Sequence, residues 1–195
     1  MRPVYLLIFA FLVSIRGFGQ SLEDYNRRMY NYNKGDWIAV GGWSVVGIGV
    51  STYGIINSKN LQNKHFHQMN VIANAANMVF VVPGLISSFK KDPTTFDEKE
   101  TWRHNIRHEH TYLFNVGLDI FYTTLGLRLR QLGQINTNNT EILTGFGNSL
   151  IIQGGFLFCS DLTMTILHIT HRKHGFDRNV EFTTGANGIG FKWKL

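Results

Sequence analysis

Residues 142–170 read ILTGFGNSLIIQGGFLFCSDLTMTILHIT, and this stretch decides the fold class. Its one formally charged residue is Asp161, and its length exceeds the ~20 mostly apolar residues that a helix needs to cross a bilayer. A helix at the surface of a soluble protein carries charged side chains along its outer face. The stretch therefore predicts a membrane-spanning helix.

Three further windows of the chain are almost free of formal charge. Residues 37–58 and 65–89 contain no Asp, Glu, Lys or Arg, and residues 111–127 contain Asp119 alone. All 19 lysines and arginines lie outside the four windows, where basic side chains usually flank spans. Residues 20–175 are therefore predicted to form an all-α, four-helix transmembrane bundle. The mean hydropathy of −0.08 is low for such a protein and leaves a soluble helical bundle as the alternative.

Residues 1–19 have the organisation of an export signal. A basic residue near the start is followed by the apolar run 4–15 and then by Gly17 and Gly19, two small residues at the spacing that signal peptidase prefers. Cleavage near Gly19 predicts a mature chain in the bacterial inner membrane after Sec-type export. Arg16 fits a cleavage region less well, so an uncleaved anchor is the alternative.

Two features of the sequence, the export signal and the loop charges, predict opposite orientations of the bundle in the membrane. With an exported N-terminus, the external segments are 20–36, 90–110 and the tail from His171, and together they carry 13 lysines and arginines. The two internal loops then carry only four, whereas basic residues are usually concentrated in cytoplasmic loops. We keep the exported orientation as the prediction, against the bias of the loop charges.

The net charge of +6 is spread over loops and tail rather than concentrated in one segment. There is no RNP-like motif, zinc-finger spacing or basic helix with interleaved aromatic residues, so no nucleic-acid partner is expected. The expected partner is the lipid bilayer, and a homo-oligomer or a protein partner stays open. No nucleotide-binding loop, nucleophile elbow or HExxH sequence is present, so no catalytic residue is predicted.

Polar side chains recur at helical spacing in three of the four windows. With about 100° of rotation per residue, they form one stripe along each helix. Amide and carboxyl groups that face lipid are costly, so the stripes should face a shared polar interior. The predicted polar core consists of Asn70, Asn74, Asn77, Asn115, Asp119, Gln153 and Asp161.

Asp119 and Asp161 are predicted to lie at the same depth of an antiparallel helix pair, because each is equally far from the same membrane boundary. His110 and His168 should lie closer to that boundary. Three interpretations stay open. The four side chains could hold a divalent metal through oxygen and nitrogen ligands, or the two carboxyl groups could share a proton. The third is structural: the carboxyl groups hydrogen-bond to neighbouring amides and keep the helices in register.

Residues 176–195 differ from the rest of the chain. Two short runs with alternating apolar positions flank the pair Asn187-Gly188, which is typical of a tight β-turn. The tail is predicted to be a β-hairpin. A lone hairpin is only marginally stable, so it should pack on a helix end or on a protein partner.

Several short motifs resemble an uncharacterised bacterial membrane family, a domain of unknown function. They are FHQMN at 66–70 with Asn74 and Asn77, FNVGLD at 114–119, and GNSLIIQGGFL at 147–157 with Asp161 and His168. The resemblance implies an export signal, four hydrophobic helices and a short β-like tail, but no activity. Two functional classes therefore remain: a structural or interaction protein with a polar packing core, and a protein that binds a metal or a proton at its Asp and His side chains.

Overall fold

The computed structural model describes residues 21–135, 138–175, 181–185 and 188–192. Its described residues form four long helices, with a short 3-10 turn at Pro93–Thr95 between the second and third. The helices are α1 (Leu22–Asn57), α2 (Leu61–Lys90), α3 (Glu98–Ile135) and α4 (Thr140–His174). The all-α prediction with four helices is confirmed for the helical domain. The predicted signal at residues 1–19 lies outside the described residues.

Two short strands follow the helices. β1 (Glu181–Gly185) pairs antiparallel with β2 (Gly188–Lys192), with Phe182 opposite Phe191. The turn between them and the side chains of both strands lie outside the described residues. The hairpin tail at 176–195, with its packing on a helix end or a partner, therefore stays a prediction.

Local capping explains where several helices begin and end. The Ser21 hydroxyl accepts a hydrogen bond from the backbone N–H of Asp24, and Asn60 caps α2 in the same way. The Asp97 carboxylate accepts the N–H of Glu100 at 2.7 Å in the first turn of α3. Such side chains supply acceptors for amides that have no partner within the helix. α4 ends at Gly175, whose positive φ of 63° suits a residue without a Cβ.

The helices are longer than a bilayer requires. They contain 36, 30, 38 and 35 residues, or roughly 45–57 Å at about 1.5 Å per residue, against a hydrocarbon core of about 30 Å. α1 and α3 begin well before their charge-free windows, and α4 continues past the end of its window. The first residues of α1 and α3 and the last residues of α4 therefore extend past the apolar region on the same side.

The four helices pack unequally. α3 and α4 are in contact along most of their length, α2 packs on both α1 and α4, and α1 approaches α3 closely at few positions. Where α3 and α4 meet, a Cβ added to Gly126 would lie 2.7 Å from the Gly147 carbonyl oxygen, and the reverse distance is 2.5 Å. Glycine at both positions thus lets the two backbones touch, as small residues do in membrane helix pairs.

Burial in the bundle is inverted relative to a water-soluble protein. Asn26, Asn74 and His168 are fully buried, whereas Phe80 and Phe114 are 71% and 67% exposed. Water-soluble proteins bury large apolar side chains and leave amides outside. A polar interior surrounded by an apolar exterior is the arrangement expected in lipid.

Three helices, α1, α2 and α4, are long and apolar enough to cross a membrane, and they indicate a membrane-associated protein. The prediction from the sequence was four such helices. α3 does not reach the same apolarity, because Asn115 and Asp119 interrupt its window and Arg128 follows at once. Its outer face still exposes large apolar side chains, including Phe114 and Phe121.

Candidate functional site

Two carboxyl groups meet in the interior between α3 and α4. Asp119 and Asp161 are only 3% and 8% exposed, and their carboxyl groups lie close enough to interact with each other. Asn115 lies close enough to Asp161 to act on its carboxyl group. Two buried carboxylates this close together repel each other, which favours a proton on one of the two groups. The sequence placed the two residues at the same depth, and the structure brings them together.

A third buried carboxyl group, Asp36 of α1, lies near this pair. It accepts a hydrogen bond from the Ser160 hydroxyl at 2.7 Å and one from the Tyr112 hydroxyl at 3.1 Å. The negative charge of Asp36 is close enough to act on Asp161. We call Asp36, Asp119, Asp161, Asn115, Tyr112 and Ser160 the carboxyl layer.

No basic side chain forms a salt bridge with the carboxyl layer in the described ranges. The two salt bridges there join Arg27 to Glu23 and Arg172 to Glu109, at the helix ends. A buried carboxylate without a basic partner is costly in an apolar medium. The cost is reduced when a proton neutralises one of the three groups.

A column of histidine rings runs from the helix ends toward the carboxyl layer. His104 stacks on Phe96 at 4.8 Å between ring centroids, His108 lies 6.2 Å from His104, and His168 stacks on His108 at 5.3 Å. His168 is fully buried, and its Nε2 donates to Asn33 Oδ1 at 2.9 Å. We call His104, His108 and His168 the histidine column.

His108 lies three residues before the charge-free window of α3. Burial and, to a smaller extent, the positive charges of His104, Lys91 and Arg107 together lower the pKa of His108 to about 4. The imidazole is therefore neutral at pH 7. Burial also lowers the pKa of His104, again helped by nearby positive charges.

The residues predicted as a metal site are not brought together. Asp119 and Asp161 are adjacent, but His110 is exposed on the outer face of α3 beside Arg107 and Phe114. The inward position belongs to His108, because two residues turn the helix by about 200°. Among the residues that the structure describes, no group of three or more His, Cys, Asp or Glu side chains is arranged to hold a metal ion.

A second polar layer joins α1, α2 and α4 deeper in the bundle. Gln153 donates to Asn70 Oδ1 and accepts from the Trp43 indole N–H at 2.9 Å. Asn70 donates to the Ser51 hydroxyl at 2.6 Å, and Asn74 donates to the Asn70 carbonyl at 2.7 Å. We call these five residues the amide layer. It contains no charged side chain.

The predicted polar core thus separates into two layers. Asn115, Asp119 and Asp161 belong to the carboxyl layer, and Asn70, Asn74 and Gln153 belong to the amide layer. Asn77 is half-buried, and its side-chain N–H group has no hydrogen-bond partner among the described residues.

α1 contributes two buried side chains that the charge-free windows do not indicate. Asn33 accepts hydrogen bonds from both Tyr112, at 3.0 Å, and His168, and Asp36 completes the carboxyl layer. Both residues precede the charge-free window that begins at residue 37 and lie in the segment 20–36, which the charge pattern places outside the membrane. The spacings of seven residues between Asn26 and Asn33 and three between Asn33 and Asp36 are typical of one inward helix face.

At the helix ends, a further group of side chains joins α1 to α3 and α4. The Thr101 hydroxyl donates to Asn26 Oδ1 at 2.8 Å. The ring of His171 stacks on Tyr25 at 3.9 Å, and its Nε2 donates to the Tyr25 carbonyl at 3.0 Å. These contacts cover the end of the polar interior on the side where the helices extend past the apolar windows.

Comparison with known proteins gives one match. A family model described as a family of unknown function, DUF6992, matches residues 39–162. No curated protein and no solved structure matches the chain. The matched range includes the amide layer and both members of the Asp119–Asp161 pair, and it covers more than half of the chain. The chain therefore belongs to the DUF6992 family of unknown function.

Proposed function

We propose that the chain is an integral membrane protein that binds a proton in its interior, at the carboxyl pair of Asp119 and Asp161. The observation that carries the proposal is the close approach of these two buried carboxyl groups. Two adjacent buried carboxylates repel each other, so a proton shared between them stabilises the pair, and no lysine or arginine of the described residues forms a salt bridge with either carboxyl group.

The proposal includes four crossing helices rather than three. α3 packs along α4 for most of its length, and its outer face between residues 113 and 127 exposes leucine, isoleucine and phenylalanine side chains. Its polar residues face α4 and α1, so they are shielded from lipid. The location in a bacterial inner membrane, expected from residues 1–19, is part of the same proposal.

The contrast between the two polar layers favours proton binding over a purely structural role for the pair. The amide layer links three helices through neutral side chains, and neutral amides suffice to fix helix packing. Aspartate at 119 and 161 adds a desolvation cost that asparagine would avoid. We assign helix registration to the amide layer and proton binding to the carboxyl layer.

Infrared spectroscopy of the full chain in lipid vesicles tests the assignment. The wild type should show the C=O band of a protonated carboxyl group at pH 7, and the double variant Asp119→Asn/Asp161→Asn should lose it. Asp92→Asn, which changes an exposed carboxylate in the 3-10 turn, serves as the matched control and should keep the band.

Two results would overturn the proposal. One is a wild-type spectrum at pH 7 without any protonated-carboxyl band. The other is a band that persists in the double variant while circular dichroism shows an intact helical fold. Extraction of the chain from membranes by alkaline carbonate, without detergent, would refute the membrane placement itself.

A further inference from the structure

A cleft of about 420 Å³ lies at the opposite end of the bundle from the histidine column. It is bounded by the first turns of α2, the last turns of α3 and the first half of α4. Three amide side chains and one guanidinium, those of Gln62, Asn63, Asn148 and Arg130, form its polar lining. Phe66, Ile151 and Ile152 complete it.

The polar lining has unused hydrogen-bonding capacity. The side chains of Arg130, Gln62 and Asn148 form no hydrogen bond or ion pair within the described ranges, and the cleft contains no carboxylate. The Cβ of Arg130 packs against α4, since a Cβ added to Gly147 would lie 3.2 Å from it. A charged donor and three amides thus surround one space.

The charges around the cleft suit an anion. The residues that flank the apolar windows at this end include Lys59, Lys64, Arg128 and Arg130, against the single acidic residue Glu141. The guanidinium is planar and donates paired hydrogen bonds, which fits the oxygens of a phosphate group.

The depth of the cleft suits a lipid. Arg130 lies three residues past the apolar window of α3, at the level of headgroups, whereas Phe66, Ile151 and Ile152 lie within the apolar windows of α2 and α4. The cleft therefore offers a charged donor at the membrane surface and an apolar wall below it. A soluble anion would contact only the charged donor and not the apolar wall.

We propose that this cleft binds an anionic phospholipid. Arg130 donates to the phosphate oxygens, Gln62 and Asn148 donate to the same headgroup, and an acyl chain lies against Ile151 and Ile152. The proposal rests on the membrane placement proposed above, but it is independent of the proton on the carboxyl pair.

Native mass spectrometry of the full chain in detergent measures the binding. The protein is titrated with phosphatidylglycerol and, separately, with phosphatidylcholine. Arg130→Gln should weaken phosphatidylglycerol binding about tenfold, as loss of a charge-assisted hydrogen bond implies. Arg128→Gln, an equally charged and exposed neighbour outside the cleft, should stay within about twofold of the wild type. Asn148→Leu should weaken binding by a smaller factor.

Several outcomes would overturn the lipid site. Equal losses in Arg128→Gln and Arg130→Gln would show attraction to general surface charge. Unchanged binding in Arg130→Gln, with helical content intact by circular dichroism, would remove the assigned donor. Arg130-dependent thermal stabilisation by inorganic phosphate, with no preference for phosphatidylglycerol over phosphatidylcholine, would identify a soluble anion instead. The carboxyl band should be unaltered in Arg130→Gln, so failure of either proposal is visible separately.

Discussion

Acidification should destabilise the end of the bundle that contains His108. The pKa of this imidazole is lowered from 6.5 to about 4 by burial and by nearby positive charges, so the folded state favours the neutral form. The unfolded chain takes up a proton near pH 6.5. Stability from neutral His108 is therefore complete above pH 6.5 and is lost as the pH falls from 6.5 toward 4.

The size of the loss in unfolding free energy follows from how far the pKa of His108 is lowered. About 2.5 pKa units at about 1.4 kcal/mol each correspond to about 3 kcal/mol of unfolding free energy. Most of this should be lost by pH 4.5. For a chain of this length, the loss corresponds to a fall in Tm of roughly 6–12 °C.

Thermal unfolding in detergent at pH 7.5 and pH 4.5, followed by circular dichroism, measures the effect. Because carboxyl groups titrate over the same range, the informative quantity is the difference between the wild type and His108→Phe. The variant should lose less stability on acidification than the wild type, by about 3 kcal/mol. His110→Gln, which changes an exposed histidine two residues away, should behave as the wild type does.

An equal pH dependence in the wild type and in His108→Phe would refute this reasoning. An equally reduced pH dependence of stability in His110→Gln would also refute it, because the effect would then depend on the number of histidines rather than on the burial of His108.

Two further predictions concern packing and orientation. Gly147→Val should destabilise the fold severely, because a Cβ there meets the Gly126 carbonyl oxygen at 2.5 Å, whereas Gly155→Val has nothing within 4 Å and should be tolerated; thermal unfolding of both variants checks this. For sidedness, a cysteine at the exposed Thr95, in a Cys159→Ala background, should react with a membrane-impermeant maleimide added to intact cells, and protection there would reverse the exported orientation.

The sequence was sufficient to predict the helices and the Asp119–Asp161 contact. Lipid reverses the usual partition of side chains, so windows without charge mark the helices, and the few polar residues in them mark the inward faces. In an antiparallel pair, equal distance from one boundary predicts equal depth. That geometry holds for Asp119 and Asp161 because α3 and α4 pack closely along their length.

The remaining features of the site could not be found from the charge-free windows. Asp36 and Asn33 lie on a helix that begins well before its apolar window, and hydropathy does not detect a helix that continues into the aqueous region. His108 and His110 differ by two positions, so the inward one can be chosen only when the helical phase is known. α3 falls below the apolarity of a span because it carries much of the polar interior.

The unequal packing of the helices has a mechanical consequence. α1 with α2 and α3 with α4 form two hairpins, and on the side of the carboxyl layer they are joined mainly by side chains, as in the contacts of Tyr112 with Asn33 and Asp36. At the other end, backbone contact of Gly145 with the first turn of α2 holds them together. Separating the two hairpins beside Asp36 would therefore break mainly side-chain contacts, whereas separating them at Gly145 would also break a backbone contact.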